Sequence, residues 1–514
     1  MRHHPFTKLA SLLVVCLMTF SSAAFADEAQ LMDMVKQMQQ QMTEMQSTVT
    51  AQKAEIQALK ANGGSIQKAP GGVEATPPMS EAEFNQRLSD STGGANKWLK
   101  DLKFSGDLRM RYEAFHLTGN RNDGTTPPVN KYQPDRNRFR FRLRYGFEKT
   151  FSPEVKVGFS MASGEKSAAA GSASPYSVYN TDPISTNQTL GQLSDFKSIW
   201  IEKAYATYTP EWAKIGDSDR LSVSGLEITG GKFTNPFEKG STDMIWDRDL
   251  KPEGAYEKID ARLLKTDSLD LKAYGIAGQF VLQESGNVGT KDANLWAYQA
   301  GLNPVFYVSG MERPIDALSA LSIYSYQNYT QLNNWDIGGS SGVSQANGNP
   351  TNGARLAAEN FNILSLYQEI NFYPYGIPVK PFAEFARNMS NRSGTPATGP
   401  TTNSMQGGED AWSLGLTLGK LTKKGDLQGS YQYKYIGANS VVGAFNDSDF
   451  GGYNYGGTDK QGSVIKLGYN LTDYLTLNGA CYLVRPITQR DLTTNGMQVD
   501  QSVRRFQLDM TYKF

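Results

Sequence analysis

The sequence predicts an all-β fold, a transmembrane antiparallel β-barrel of about sixteen strands, preceded by an α-helical coiled-coil segment. Three observations predict it. Apolar and polar residues alternate along many segments, the connections between them alternate between long and short, and the last segment alternates up to a terminal Phe514. The composition agrees. Glycine (50), tyrosine (26) and phenylalanine (24) are abundant and cysteine (2) is scarce, as in a chain of strands punctuated by turns. A length of 514 residues would otherwise suggest roughly two to four soluble domains. A mean hydropathy of −0.48 does not oppose a barrel, whose apolar residues are hidden in alternation. Basic and acidic side chains number 51 each, without the basic excess of a nucleic-acid binder.

Residues 1–26 read as a signal peptide. Arg2 and Lys8 supply the positive start, 9–20 the apolar run, and Ala24-Phe25-Ala26 a small-x-small cleavage site. The run is too short to span a bilayer as a helix. Cleavage after Ala26 removes Cys16 and leaves Cys481 alone, so no disulfide framework forms within one chain. The remaining sequence has no apolar run long enough for a transmembrane helix.

Residues 27–60 predict a coiled coil. Val35, Met42, Val49 and Ile56 fall at a, and Leu31, Met38, Met45, Gln52 and Leu59 at d, with Gln52 the single polar member of the seam. At 1.5 Å per residue the rod is roughly 45 Å long. Methionine at the seam specifies oligomer number weakly, and an amphipathic helix packed on its own chain fits the same pattern. Residues 61–100 read as a linker, with Gly63-Gly64, Gly71-Gly72 and Pro77-Pro78, and with room for one short helix over 81–100.

Residues 101–514 read as the barrel. In the last segment Phe506, Leu508, Met510, Tyr512 and Phe514 share one face, and Arg505, Gln507, Asp509, Thr511 and Lys513 the other. An alternating last strand that ends in Phe resembles the C-terminal signal of bacterial outer-membrane barrels. Strands are expected near 103–116, 136–148, 154–162, 198–209, 221–233, 256–264, 268–279, 294–307, 316–329, 361–373, 378–389, 410–421, 426–437, 461–471, 474–484 and 502–514. Connections after odd strands are long and those after even strands short, which puts both termini and the coiled coil on the short-turn side.

One residue-level inference follows from energetics. Arg138, Arg140, Arg142 and Arg144 line one face of the second strand, and Arg109 and Arg111 the matching face of the first. An arginine facing lipid at mid-bilayer costs about 2–4 kcal/mol, so this face must be the lumen and the Phe/Leu/Tyr face must meet lipid. A wall of guanidinium groups attracts anions in a narrow channel. The same arginines could instead be compensated by lumenal Asp107, Glu113 and Glu148.

The segments Phe104-Ser105-Gly106-Asp107-Leu108-Arg109, Arg138-Phe139-Arg140-Phe141-Arg142-Leu143-Arg144, Gly231-Lys232-Phe233-Thr234-Asn235-Pro236-Phe237 and 420–425, together with the coiled-coil leader, resemble the putative-porin family of Gram-negative bacteria. The resemblance implies a barrel in the outer membrane with its coiled coil in the periplasm. It implies a homotrimer in lipid that passes small polar solutes, and the arginine wall adds anionic ones to the expected partners. It also implies that the connection 234–255, with Asp243, Trp246, Asp247, Asp249 and Glu253, folds into the pore against the arginines. A solvated extracellular loop is the other reading of that stretch.

Enzyme activity is not expected. His116 is the one histidine beyond the signal peptide, and no metal-ligand cluster, cofactor motif or phosphate-binding glycine motif occurs in the sequence. The alternative to an open pore is a barrel that acts as a scaffold or tether for a periplasmic or electron-transfer partner.

Overall fold

A computed structural model describes residues 101–118, 136–165, 184–191, 193–216, 221–284, 291–329, 349, 351–352, 355–356, 361–390, 408–451, 457–487 and 502–514. The signal peptide, coiled coil and linker expected over 1–100 lie outside the described residues. Sixteen long strands form one antiparallel sheet. They are β1 (Leu102–Thr118), β2 (Arg136–Ser152), β3 (Val155–Ser163), β4 (Ile199–Tyr208), β5 (Ser222–Lys232), β6 (Glu253–Lys265), β7 (Leu269–Gln283) and β8 (Ala293–Phe306), followed by β9 (Ile315–Gln327), β10 (Phe361–Asn371), β11 (Val379–Asn388), β12 (Asp410–Gly419), β13 (Leu427–Ile436), β14 (Lys460–Asn470), β15 (Leu475–Pro486) and β16 (Ser502–Lys513). A seventeenth, two-residue strand, Gln188–Thr189, pairs with β2.

Each long strand pairs with the next, and β16 returns to pair with β1, with Met110 opposite Met510 and Asp107 opposite Lys513. Among the described residues closure leaves no free edge strand, which is what a strand-built wall needs in hydrocarbon. Phe514 completes the seam: its carbonyl accepts from the Gly106 amide at 2.8 Å and its own amide donates back at 3.1 Å. The sixteen expected strands all occur, with boundaries moved by a few residues.

One rim carries the short connections 153–154, 209–221, 266–268, 307–314, 372–378, 420–426 and 471–474. At the other rim the strand ends are joined through the connections numbered L1 to L8, of which L3 (233–252), most of L7 (437–451 and 457–459) and part of L2 (164–165, 184–191 and 193–198) are described. The alternation seen in the sequence is therefore a property of the two rims.

The pleat sorts side chains by face. Leu108, Met110, Phe139, Tyr145, Leu414, Leu416, Phe506, Met510 and Tyr512 are exposed on the outer wall. Arg111, Glu113, Arg140, Arg142, Arg505, Gln507 and Asp509 alternate with them and are buried in the interior. On β7 the sorting reverses. Tyr274, Ile276 and Phe280 point inward and are buried, while Ala273, Gly275 and Ala277 take the outer face. The interior of β7–β10 is therefore apolar, continuing through Leu295, Leu318, Tyr324, Tyr326, Phe361 and Ile363.

Candidate functional site

Two loops fill the apolar side of the lumen. L3 brings Phe237, Met244, Ile245 and Trp246 into one buried cluster with the inner faces of β7–β10, and L7 adds Val441, Val442, Phe445 and Phe450. Lumenal water drives this packing, at about 25 cal/mol per Å² of apolar surface removed. Trp246 stacks on Tyr324 with ring centroids 6.2 Å apart and donates its indole N–H to the Tyr326 hydroxyl at 3.2 Å.

Polar groups then fix the register of L3 on the wall. Glu384 of β11, fully enclosed, accepts from the Thr242 amide at 2.8 Å, the Thr242 hydroxyl at 2.5 Å and the Ser365 hydroxyl at 2.9 Å. Gln299 of β8 donates to the Phe237 and Gly240 carbonyls at 3.2 and 3.3 Å. Gly240 is required by this approach. A Cβ there would lie 2.5 Å from the Ala320 Cβ and 2.7 Å from the Tyr274 hydroxyl.

L3 and L7 are also joined to each other. The Asp247 amide donates to the Phe445 carbonyl at 2.6 Å, and the Asp447 amide to the Asp243 carbonyl at 2.9 Å. Lys434 of β13, with no exposed side-chain surface, pairs with Asp243 at 2.6 Å and Asp447 at 2.7 Å. Burial alone would raise the Asp243 carboxyl, but the Lys434 ammonium holds it well below the usual carboxylate range. Asp247 goes the other way. Burial, then the neighbouring Asp249 and Asp447, push it well up, although the Ser448 and Asp249 amides donate to it at 2.9 and 2.8 Å.

The opposite wall is charged. Arg111 makes a two-pronged pair with Asp509 at 2.7 and 2.8 Å. Arg142 and Arg144 share Asp107 at 2.8 and 2.6 Å, and Arg138 reaches Glu113 at 2.5 Å. Arg505, which sequence reasoning left as one polar-face residue among others, is a hub. It binds Glu113, pairs with Asp449 of L7 at 2.7 Å, and donates to the Ser448 and Asp449 carbonyls at 3.1 and 3.0 Å. Arg109 and Arg140 differ. Arg109 donates to Asn187 at 2.6 Å, but its nearest carboxylate, Asp509, is 3.8 Å away. Arg140 lies 3.7 Å from Glu165 and 3.9 Å from Glu113. The Nε atoms of Arg109 and Arg140 are buried without a hydrogen-bond partner.

The residues singled out in the sequence separate on this frame. Arg109, Arg111, Arg138, Arg140, Arg142 and Arg144 stand together on the inner faces of β1 and β2. Of the five residues expected in the constriction, Asp249 faces them, 3.6 Å from Arg142 and 3.8 Å from Arg144. Asp243 and Asp247 are spent on the junction of L3 with L7. Trp246 lies in the apolar cluster, because the aromatic inner faces of β7–β9 offer it a dry partner. Glu253 is the first residue of β6 and sits on the exposed face with Ala255, Glu257 and Ile259, paired with Lys232 at 2.6 Å. Glu148 does not compensate the arginines; it accepts from Tyr205 at 3.1 Å and lies 3.6 Å from Lys156. His116 is exposed near the loop end of β1, opposite Arg504.

A family model described as "Putative porin" matches residues 90–342 and 327–514. The chain belongs to the putative porin family. A search of curated proteins finds no match. Among solved structures, this porin is similar to OprB of Pseudomonas putida in its high-pH structure, at 10% identity over 83% of this chain and 97% of that one, with a TM-score of 0.42. It is similar to OmpF of Salmonella typhi in complex with daunomycin, at 9% identity over 80% and 97%, with a TM-score of 0.40. An anion-selective porin from Comamonas acidovorans aligns at 10% identity over 80% and 99%, with a TM-score of 0.38. Family and barrel place this porin in the outer membrane.

Proposed function

We propose that this porin lets small polar solutes diffuse passively across the outer membrane, with a modest preference for anions. The path runs along the charged side of the lumen, bordered by β1, β2 and β13–β16, because the apolar parts of L3 and L7 fill the other side and, of their described residues, only Asp249, Ser448 and Asp449 reach across to the arginines. The supporting observation is the incomplete neutralisation of the arginine wall. Arg111, Arg138, Arg142, Arg144 and Arg505 each have a carboxylate oxygen within 2.8 Å. Arg109 and Arg140 have none nearer than 3.7 Å among the described residues. Close pairing lowers the net field of the wall, so the preference is expected to be weaker than six bare guanidinium groups would impose. The short-turn rim with both termini is the periplasmic one in this reading, and the chain assembles as a homotrimer through its coiled coil.

Swelling of proteoliposomes in uncharged polar solutes of graded size tests the channel. Swelling that falls with solute size supports it, and no swelling with any solute overturns it. The packing of two loops in the lumen favours one rival, a closed barrel that serves as a scaffold, which predicts that second outcome. Deleting 27–60 tests the assembly: the oligomer is expected to be lost on a native gel while the barrel stays folded.

A further inference from the structure

Below L7, the charged side of the lumen opens into a cavity of about 280 Å³. Arg109, Arg111 and Lys466 line it, with two acids, Asp449 and Asp509. Both acids are already engaged. Asp509 holds Arg111 through both oxygens, and Asp449 pairs with Arg505 at 2.7 Å and Arg111 at 3.3 Å. That leaves two cations without a close carboxylate. Arg109 keeps a buried, unpartnered Nε–H. Lys466 on the inner face of β14 has no ion pair among the described residues, and its ammonium lies 5.9 Å from the centre of the Tyr482 ring. Gly468, Asn478 and Ala480 are short lining residues, and the Leu421 side chain packs over Gly468 at one margin of the cavity. Gln428, Ser430 and Gln507 add neutral polar groups. At roughly 30 Å³ per water, the cavity holds several waters or a small organic anion.

We infer that this cavity is a stopping site for a small dicarboxylate on its way through the pore. One carboxylate is held by the planar fork of Arg109, the other by the point charge of Lys466. A guanidinium matches a carboxylate in shape, and an ammonium supplies charge without fixing geometry. Asp449 and Asp509 cap the total positive charge, so the anion is held weakly enough to leave again, as conduction requires. This inference rests on the diffusion-channel reading of the same lumen and adds its substrate class.

The test uses the full chain with succinate as the probe and succinamide, of similar size and no charge, as the control. Succinate is expected to block the chloride current of single channels saturably, and succinamide is not. Lys466→Gln is expected to raise the half-blocking concentration about tenfold, and Lys466→Arg to restore it. Heat-modifiable gel migration shows that each variant barrel is folded. Titration calorimetry of succinate into detergent-solubilised protein reads the site without a current. If the channel conducts but succinate blocks wild type and Lys466→Gln alike, or blocks without saturation, the site is refuted while the channel stands. If no current is seen but calorimetric binding is lost in Lys466→Gln, the site stands and the channel reading falls. Absence of both overturns both.

Discussion

Lys434 and Asp243 face each other at 2.6 Å, a strand lysine and a loop carboxylate shut away together inside the barrel. With Asp447 at 2.7 Å on its other side, Lys434 ties L3 and L7 to β13. Removing one member of a buried ion pair leaves an uncompensated charge and typically costs about 3–5 kcal/mol. Lys434→Met is therefore expected to release the two loops without opening the strand-built wall. Limited proteolysis reads this as new cleavage within 233–252 or 437–459, and bilayer recordings as larger, noisier current. Unchanged cleavage and current would contradict the latch.

Gly240 gives a steric version of the same experiment. A side chain there meets Ala320 and Tyr274, both on the rigid wall, so L3 rather than the wall must move. Overpacking of this kind costs about 1–3 kcal/mol. Gly240→Val is expected to displace L3 towards the charged side and lower single-channel conductance. Conductance equal to wild type would show that L3 does not border the path.

Acid should affect the loop junction late. Asp243 has its carboxyl depressed, so its contribution is present above the ordinary Asp value of about 3.9 and is lost only as pH falls through the lower folded value. Asp247 has its carboxyl raised, so its contribution is complete below the ordinary value and is lost as pH rises through the raised one. Down to about 4, a falling pH therefore favours the junction through Asp247 while the Lys434–Asp243 pair stays intact. Current noise is expected to stay flat or fall over that interval and to rise only below it. Noise that grows steadily from pH 7, and does so equally in Asp243→Asn, would count against this assignment.

Asp249 of L3 and Asp449 of L7 meet the arginines, as does Glu165 of L2 at 3.7 Å from Arg140. Burial would raise Asp449, but Arg505 and then Arg111 hold it well below the usual carboxylate range, so it stays charged as the pH falls. Asp249→Asn and Asp449→Asn each remove one negative charge from the path. Each is expected to shift the reversal potential in a salt gradient towards the anion limit. A shift towards cations, or none in either variant, would mean that solutes do not meet these residues.

The fold was legible because a lipid-facing wall leaves a period-2 record, and an arginine in lipid is too costly to misplace. The same reasoning puts the Arg109–Arg144 set on the inward face, where the pleat carries it. It does not extend to β7, where Tyr274, Ile276 and Phe280 face inward and Ala273, Gly275 and Ala277 face out. The rule that the apolar face meets lipid holds only where the lumen is wet, and here L3 makes part of it dry. L7 left an ambiguous signal. Its stretch from Gly437 to Phe450 mixes Val441, Val442, Phe445 and Phe450 with polar residues, and its partners Asp243, Asp247 and Arg111 lie far away in sequence. Lys434 looked like any polar-face residue between Tyr433 and Tyr435. Glu384, a lone acid between Ala383 and Phe385, was the one visible hint that something polar approaches the wall from inside.

The central claim, an open lumen with a mildly anion-preferring path beside the arginine wall, is tested most directly by single-channel recording of the full chain in a planar bilayer under a potassium chloride gradient. The account predicts discrete conductance steps with a reversal potential displaced towards the chloride limit. Silence, or steps whose reversal potential lies near the potassium limit, would contradict it.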